Sequence, residues 1–166
     1  MIHMRIPSVP ITTNRAYITV HNKRILSKEG QKYKTETKTF IARNYPSQLA
    51  ISSNEHQYAV LIRVTFKKDA LFCKGFETGK AESRYKKLDA TNRIKLLEDA
   101  LSEATGIDDQ QNFVFTAVKD WSENNEFTDV WVWQRQVESN PIDEFLRTFV
   151  YAEPHGAVPA LPPLWH

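Results

Sequence analysis

The side chains best suited to chemistry crowd one stretch, "KKLDATNRIKLLEDALSEATGIDDQQ", residues 86–111. Asp89 stands just before a helix-like run, Asn92 and Lys95 lie in its first turns, Asp99 and Glu103 follow, and Asp108-Asp109 come just after. On a helical wheel Asn92, Asp99 and Glu103 fall within about 40° of one another, with Lys95 about 60° from Asn92. Oxygen ligands of this kind suit a hard divalent cation such as Mg2+, which commonly takes one or two carboxylates and completes its shell with water and substrate phosphate. Asp89 and Asp109 suffice for that mode. The bound ion would activate water and polarise a phosphodiester, while Lys95 stabilises the developing charge. The same residues also have ordinary readings: Asp89 as a helix N-cap, Asp108-Asp109 as a solvated turn, and Lys95 with Asp99 as a surface ion pair.

Charge along the chain fits a polyanionic substrate. Net charge is only +2, but Lys23, Arg24, Lys28, Lys32, Lys34 and Lys38 crowd the first third, and Lys74, Lys80, Arg84, Lys86, Lys87, Arg93 and Lys95 the middle. Acids dominate after Lys95. A basic surface around an acidic centre matches phosphates held over a cation site; two ordinary solvated helix faces would read the same way. Other chemistries find little support. The five histidines are dispersed, the single Cys73 forms no intramolecular disulfide or zinc site, and no glycine-rich phosphate loop or nucleophile elbow is present. Cys73 reads as a buried small hydrophobe in a reducing, cytoplasmic setting, and no apolar run suggests export or a membrane span. Trp121, Trp131 and Trp133 alternate as core residues of strands would, with base stacking the other reading.

These groups need a scaffold to position them. At 166 residues the chain fits one domain. After a proline-punctuated start with strand fragments, Asn22-Lys23 reads as a loose hairpin turn. Ser27 stands as the N-cap of a helix over about 28–43. The run "HQYAVLIRVTFKK" alternates with period two and predicts a strand; the stretch 68–87 has no strong period. Ile94, Leu97, Leu101 and Ala104 give one buried face to a helix over 90–104, ended by Gly106. Leu96 falls on the polar side of that wheel, where an exposed Leu would serve an interface. "NFVFTAVKDW" and "EFTDVWVWQRQ" predict two strands, the first opened by Asp108-Asp109, joined as a hairpin by residues 122–125. A further helix begins at Asn140-Pro141, with Ile142, Phe145, Leu146 and Phe149 on its apolar face, and a Pro-rich tail follows. The order predicts an α+β domain with a mixed or antiparallel sheet covered by helices. It also brings Asp89 and Asp109 together near the helix N-terminus.

The stretch "LDATNRIKLLEDALSEATGIDDQQ" resembles the signature of the RusA family of Holliday-junction resolvases. In that signature an Asp-x-Asp-Asn step opens a helix with Lys in its first turn, an Asp-Ala-Leu follows mid-helix, and a glycine-containing loop leads to Asp-Asp-x-Gln or similar. Asn92, Lys95, Asp99-Ala100-Leu101, Gly106 and Asp108-Asp109-Gln110 fall into those places. "PSVPITTNRAY" and "SKEGQKYK" are similar to the family's Pro- and Asn-rich opening and its S-x-E-G helix start. The resemblance covers about residues 5–136, and implies a RusA-like domain over 1–138 and a C-terminal helix with a Pro-rich extension over 139–166.

What the resemblance implies is a dimeric, Mg2+-dependent endonuclease, with Mn2+ as the other candidate ion, that binds four-way DNA junctions and cuts paired phosphodiesters in recombination and repair. Asp89 and Asp109 take the metal-binding places and Lys95 the catalytic lysine; Asp108 and, through a water, Thr91 are further candidates at the metal. Arg84, Lys86, Lys87, Asn92, Arg93, Asn14 and Arg15 are the candidate DNA contacts. The second Asp of the opening motif falls on Thr91, which brings no carboxylate charge to an ion unless Glu98, Asp99 or Asp108 compensates. That departure supports a second reading, a junction-binding protein of the same fold with weakened or lost catalysis. A third is a protein-interaction domain docking through "VPALPPLWH".

Overall fold

The computed structural model describes residues 2–46, 56–86, 88 and 91–134, with the side chains of Thr91, Asp109 and Phe113 left aside. Lys87, Asp89, the helix expected from Asn140 and the Pro-rich tail lie outside the described residues.

Strand β4 (Tyr58–Lys67) is the axis of the fold. It pairs antiparallel with β6 (Phe127–Gln134) on one side and parallel with β5 (Asn112–Ser122) on the other; β1 (Ile2–Ile6) adds antiparallel to β6, giving the order β1-β6-β4-β5. The expected period of two in β4 is there, but nine of its ten residues are buried, so both faces are covered. On one face Val60, Ile62, Val64 and Phe66 join Met4, Ile6, Val130 and Val132 in the main core. On the other, Ala59 and Leu61 cluster with Trp131 and Trp133, which makes core residues of those two tryptophans. Trp121, by contrast, is 43% exposed.

The expected β5–β6 hairpin does not form, because β4 lies between the two strands. The connection 123–126 therefore passes over the end of β4, a width of about 10 Å for two strand spacings. It is fastened by the Ser122 hydroxyl, which donates to the Asn125 carbonyl at 2.7 Å and accepts from the Asn125 N–H at 3.0 Å. Inserting the most apolar strand between its neighbours buries it on both sides, which an isolated hairpin could not do.

Two helices cover the main core, α2 (Lys28–Asn44) through Ile41, and α4 (Thr91–Thr105) through Ile94, Leu97 and Leu101. Gly106, at φ 74°, ends α4 in the left-handed region that glycine adopts without strain. Leu96 is not the exposed residue that the wheel suggests. It is 2% exposed and packs with Ala16 and Tyr33, because the short helix α1 (Thr13–Ala16) and α2 lie against a second flank of α4. Cys73 is half-buried in the loop after the short helix α3 (Lys68–Leu71).

Strands β2 (Tyr17–Val20) and β3 (Lys23–Leu26) form a separate two-stranded ribbon. Its turn centres on His21 and Asn22, at φ 48° and 58°, the pair of left-handed residues that a tight hairpin needs. Its outer face leaves Ile18, Val20 and Ile25 exposed. The whole is the expected α+β arrangement with a mixed sheet. No helix among the described residues is long and apolar enough to cross a membrane.

Candidate functional site

Three segments meet at the N-terminal end of α4. The first is α1 with its approach. The Thr13 hydroxyl donates to the Asn92 carbonyl, and one Arg93 guanidinium nitrogen donates to the Pro10 carbonyl at 2.7 Å while the group lies 5.4 Å above the Phe66 ring. Desolvation by burial, then the nearby Arg15 charge, lowers the Arg93 pKa from its ordinary value. Arg93 is therefore spent on holding the 10–13 segment to α4, whereas Asn14, Arg15 and Asn92 are exposed.

The S-x-E-G stretch explains how α1 is held. Ser27 accepts from the Gly30 N–H at 3.0 Å and donates to the Arg15 carbonyl at 2.6 Å, and Glu29 pairs with the Arg15 guanidinium. The Ala16 carbonyl accepts from the Ser27 N–H at 2.8 Å and sits so close to Gly30 that a Cβ there would lie 2.3 Å from its oxygen. Glycine is required by this approach of two backbones.

The second contribution is the outer side of α4. The Lys95 ammonium lies 3.1 Å from Asp99 Oδ1 and 3.6 Å from Glu98 Oε2, with its side chain half exposed. The other Asp99 oxygen, Oδ2, accepts from the Tyr17 hydroxyl at 3.1 Å. Burial, then the Asp99 carboxylate, pushes the Tyr17 phenol up, so it is a proton donor at neutral pH. Glu103 faces Lys34 and Lys38 of α2 at 2.6 and 3.5 Å. The acids expected on one exposed side are thus each answered by a cation or a phenol. Asp99 also lies eight residues beyond Thr91, about 12 Å along the axis, so it does not stand in for a carboxylate at position 91.

The third contribution is the loop from α3 to α4. Arg84 lies 3.6 Å from Glu77, the Lys86 ammonium donates to the Asp69 carbonyl, and the Lys119 ammonium of β5 donates to the Leu88 carbonyl at 3.3 Å. These place Lys86 and Leu88 beside the last residues before α4.

Asp108 and Asp109 are elsewhere. They do not open β5: Asp109 begins a 3-10 turn, Asp109–Gln111, ahead of Asn112. Asp108 is exposed, accepts from the Gln110 N–H at 3.2 Å, and gives its own N–H to the Gln111 side chain at 3.0 Å. The Gln111 amide in turn donates to the His56 carbonyl, just ahead of β4, at 3.2 Å. Because β5 runs parallel to β4, Asn112 starts beside Tyr58, and α4 returns the chain from the far end of β4. Thr91 and the Asp109 backbone therefore lie at opposite ends of α4, about 22 Å of helix apart for its fifteen residues. Among the described residues, Thr91 and the Asp109 turn thus stand at opposite ends of α4, where a strand opening at Asp108 would have set them side by side.

The donor chemistry still suits a hard cation, since Asp89 and Asp109 offer only oxygens. Among the described residues no three His, Cys, Asp or Glu side chains gather where they could hold a metal ion.

A charged cluster on the second face of the sheet went unread in the sequence. Asp129, fully buried, receives Arg5 through Nε at 2.8 Å and Nη2 at 3.1 Å, Arg63 through Nη2 at 2.6 Å, and His3 Nε2 at 3.0 Å. Burial pushes the Asp129 carboxyl up, but the hydrogen bonds from Arg5, Arg63 and His3 outweigh it and hold the group below the usual carboxylate range. His3 stacks on Trp131 with ring centroids 4.7 Å apart. The signal was present: an Asp inside the apolar run "FTDVWVW" requires buried cationic partners.

The family model for endodeoxyribonuclease RusA matches residues 7–132. The chain belongs to the RusA family of Holliday-junction resolvases. Nuclease action on DNA junctions is thereby established at the level of the family, and such resolvases generally use a divalent metal. The matched span runs from the segment ahead of α1 through β6, so it takes in all three contributions above and the Asp109 turn. No curated protein sequence matches the chain.

Proposed function

We propose that this chain is a divalent-metal-dependent endodeoxyribonuclease, with Mg2+ as the first candidate ion and Mn2+ the other, that resolves four-way DNA junctions in recombination and repair as a homodimer. The observation that carries the reading is the family match across residues 7–132, together with Lys95 on the exposed side of α4, about one turn from its start. In this reading Asp89 and Asp109 hold the ion, with Asp108 and a water on Thr91 as outer contributors. When bound, the ion supplies Lewis-acid polarisation of the scissile phosphate and an acidified water. Lys95 balances charge on the phosphate, and Asp99, itself held by Tyr17, keeps the ammonium on that side of the helix. Exposed Asn14, Arg15 and Asn92, with Arg84, Lys86 and Lys87, contact the DNA backbone, while Arg93 acts by fixing the 10–13 segment.

A homodimer suits the separation of Thr91 from Asp109. A two-fold axis can set the Asp109 end of one copy against the Asp89 end of the other, giving two equivalent composite sites for two symmetric cuts. Cleavage of a synthetic four-way junction with and without divalent metal tests the function. Wild type cuts only with metal, and Asp89→Asn and Asp109→Asn each lose the activity; robust cleavage by both variants sinks the assignment. Thr91 favours a second reading, a junction-binding protein without catalysis, for which salt-dependent junction affinity persists and no metal-dependent product forms.

A further inference from the structure

Two large rings beside the loop into α4 have no part in that chemistry. Tyr85 is 55% exposed and Trp121 43%, far above Tyr58, Trp131 and Trp133 at 0%, 3% and 9%. Phe72 joins them, its ring centroid 5.4 Å from that of Tyr85 and 5.5 Å from that of Trp121. The loop presenting Tyr85 is fastened at its base: Phe72 and Tyr85 form an isolated antiparallel bridge, the Cys73 N–H donates to the Arg84 carbonyl at 2.9 Å, and the Lys86 N–H donates to the Leu71 carbonyl at 2.7 Å. The surround is cationic. Residues 67–88 carry seven Lys and Arg against three Asp and Glu, and the Lys68 ammonium lies 5.1 Å from the centre of the Trp121 ring. The Lys119 ammonium, two residues from Trp121 on β5, holds the Leu88 carbonyl, one residue before Asp89.

We infer that Tyr85 and Trp121 form a stacking platform for DNA bases that lose their stacking partners at the point of strand exchange. The inference rests on the junction reading above and names the part of the junction held next to the cutting site. Aromatic faces hold unpaired bases with little regard to sequence, and neighbouring lysines hold the flanking phosphates. Base faces inside a duplex are covered by their neighbours, so the platform favours a branch point over a plain arm. Among the other exposed apolar residues described, Ile18, Val20 and Ile25 on the β2–β3 ribbon offer no ring, and Phe76 and Phe115 are less exposed, each at 38%; Trp131 and Trp133, 3% and 9% exposed, offer no accessible face.

The test uses the full chain without divalent metal and three DNAs carrying 2-aminopurine: a four-way junction labelled at the point of exchange, a single strand, and a duplex labelled internally. Wild type should quench the junction and single-strand probes and leave the duplex probe unchanged. Tyr85→Ala and Trp121→Ala should each weaken binding to junction and single strand by about tenfold, a loss within the range for one stacked base, and remove the quench. Tyr85→Phe and Trp121→Phe should keep both, which separates stacking from a folding defect. Alanine variants that bind and quench like wild type overturn the platform, whatever the cleavage result. Ring-dependent quenching without metal-dependent cleavage overturns the nuclease reading and leaves the platform standing.

Discussion

Mixing two dead variants gives the sharpest view of how the site is assembled. Two carboxylates on one Mg2+ each bring an oxygen to about 2.1 Å, so the oxygens lie within about 4 Å of each other. The fifteen residues of α4 separate Thr91 from the Asp109 turn by about 22 Å. Asp89 precedes Thr91 by two residues, at most about 7 Å of chain. Even with residues 89 and 90 turned back fully, about 15 Å of helix remains before Thr105, and the Asp109 turn that follows leads into β5 beside Tyr58, at the end of β4 away from the start of α4. In the homodimer proposed above, a shared ion would be held by Asp89 of one copy and Asp109 of the other. Pure Asp89→Asn and pure Asp109→Asn dimers then contain no intact site. Random re-pairing of an equal mixture makes about half the dimers mixed, each with one intact and one doubly altered site, or about a quarter of the wild-type number of sites. Junctions labelled on opposing strands should show single nicks at about that level, in place of paired cuts. A mixture as inactive as its components, with subunit exchange demonstrated by differently sized chains, would refute the composite site.

Other outcomes follow from the same geometry. Thr91→Asp should tighten Mg2+ binding by restoring a carboxylate, measured as a lower metal concentration for half-maximal cleavage; no change would show that position 91 does not face the ion. Gly30→Ala should destabilise the fold by about 1–3 kcal/mol in urea denaturation, because its Cβ would lie 2.3 Å from the Ala16 carbonyl oxygen and the α1–α2 contact must open. The folded-state pKa of Asp129 lies below its unfolded value, so its contribution to stability is present above about pH 4 and is lost as pH falls through the lower folded value. Asp129→Asn should remove that acid sensitivity and cost about 3 kcal/mol at neutral pH, since it leaves Arg63 buried against an uncharged partner.

What was legible in the sequence was local. The Ser27 cap, the glycine after α4 and the strand nature of β4 depend on a few neighbouring residues, and each stands where the spacing put it. What was not legible depended on partners far along the chain. Consecutive strands with a four-residue link suggest a hairpin, and nothing local reveals that β4 would part β5 from β6. The same insertion turns β5 parallel and carries Asp109 away from the start of α4. Leu96 faces the polar side of a single wheel, but α4 has two buried flanks, the second supplied by α1 and α2 from about 60 to 80 residues earlier in the chain. The carboxylate of Asp99 could be assigned to Lys95 by spacing alone, whereas its second partner, Tyr17, required the fold.

The Asp129 cluster has a consequence for the order in which the chain can fold. His3 and Arg5 belong to the first strand described and Asp129 to the last, 126 and 124 residues apart. During synthesis β1 must wait without its partner until β6 has emerged, and β4 waits with one long edge open beside it. Contacts this distant close late and slowly, since the intervening loop must be ordered before they repay its entropy. The charge of Arg5 and the polar ring of His3 keep the waiting strand hydrated on one side. When Asp129 arrives, one carboxylate locks the first and last described strands into the same sheet.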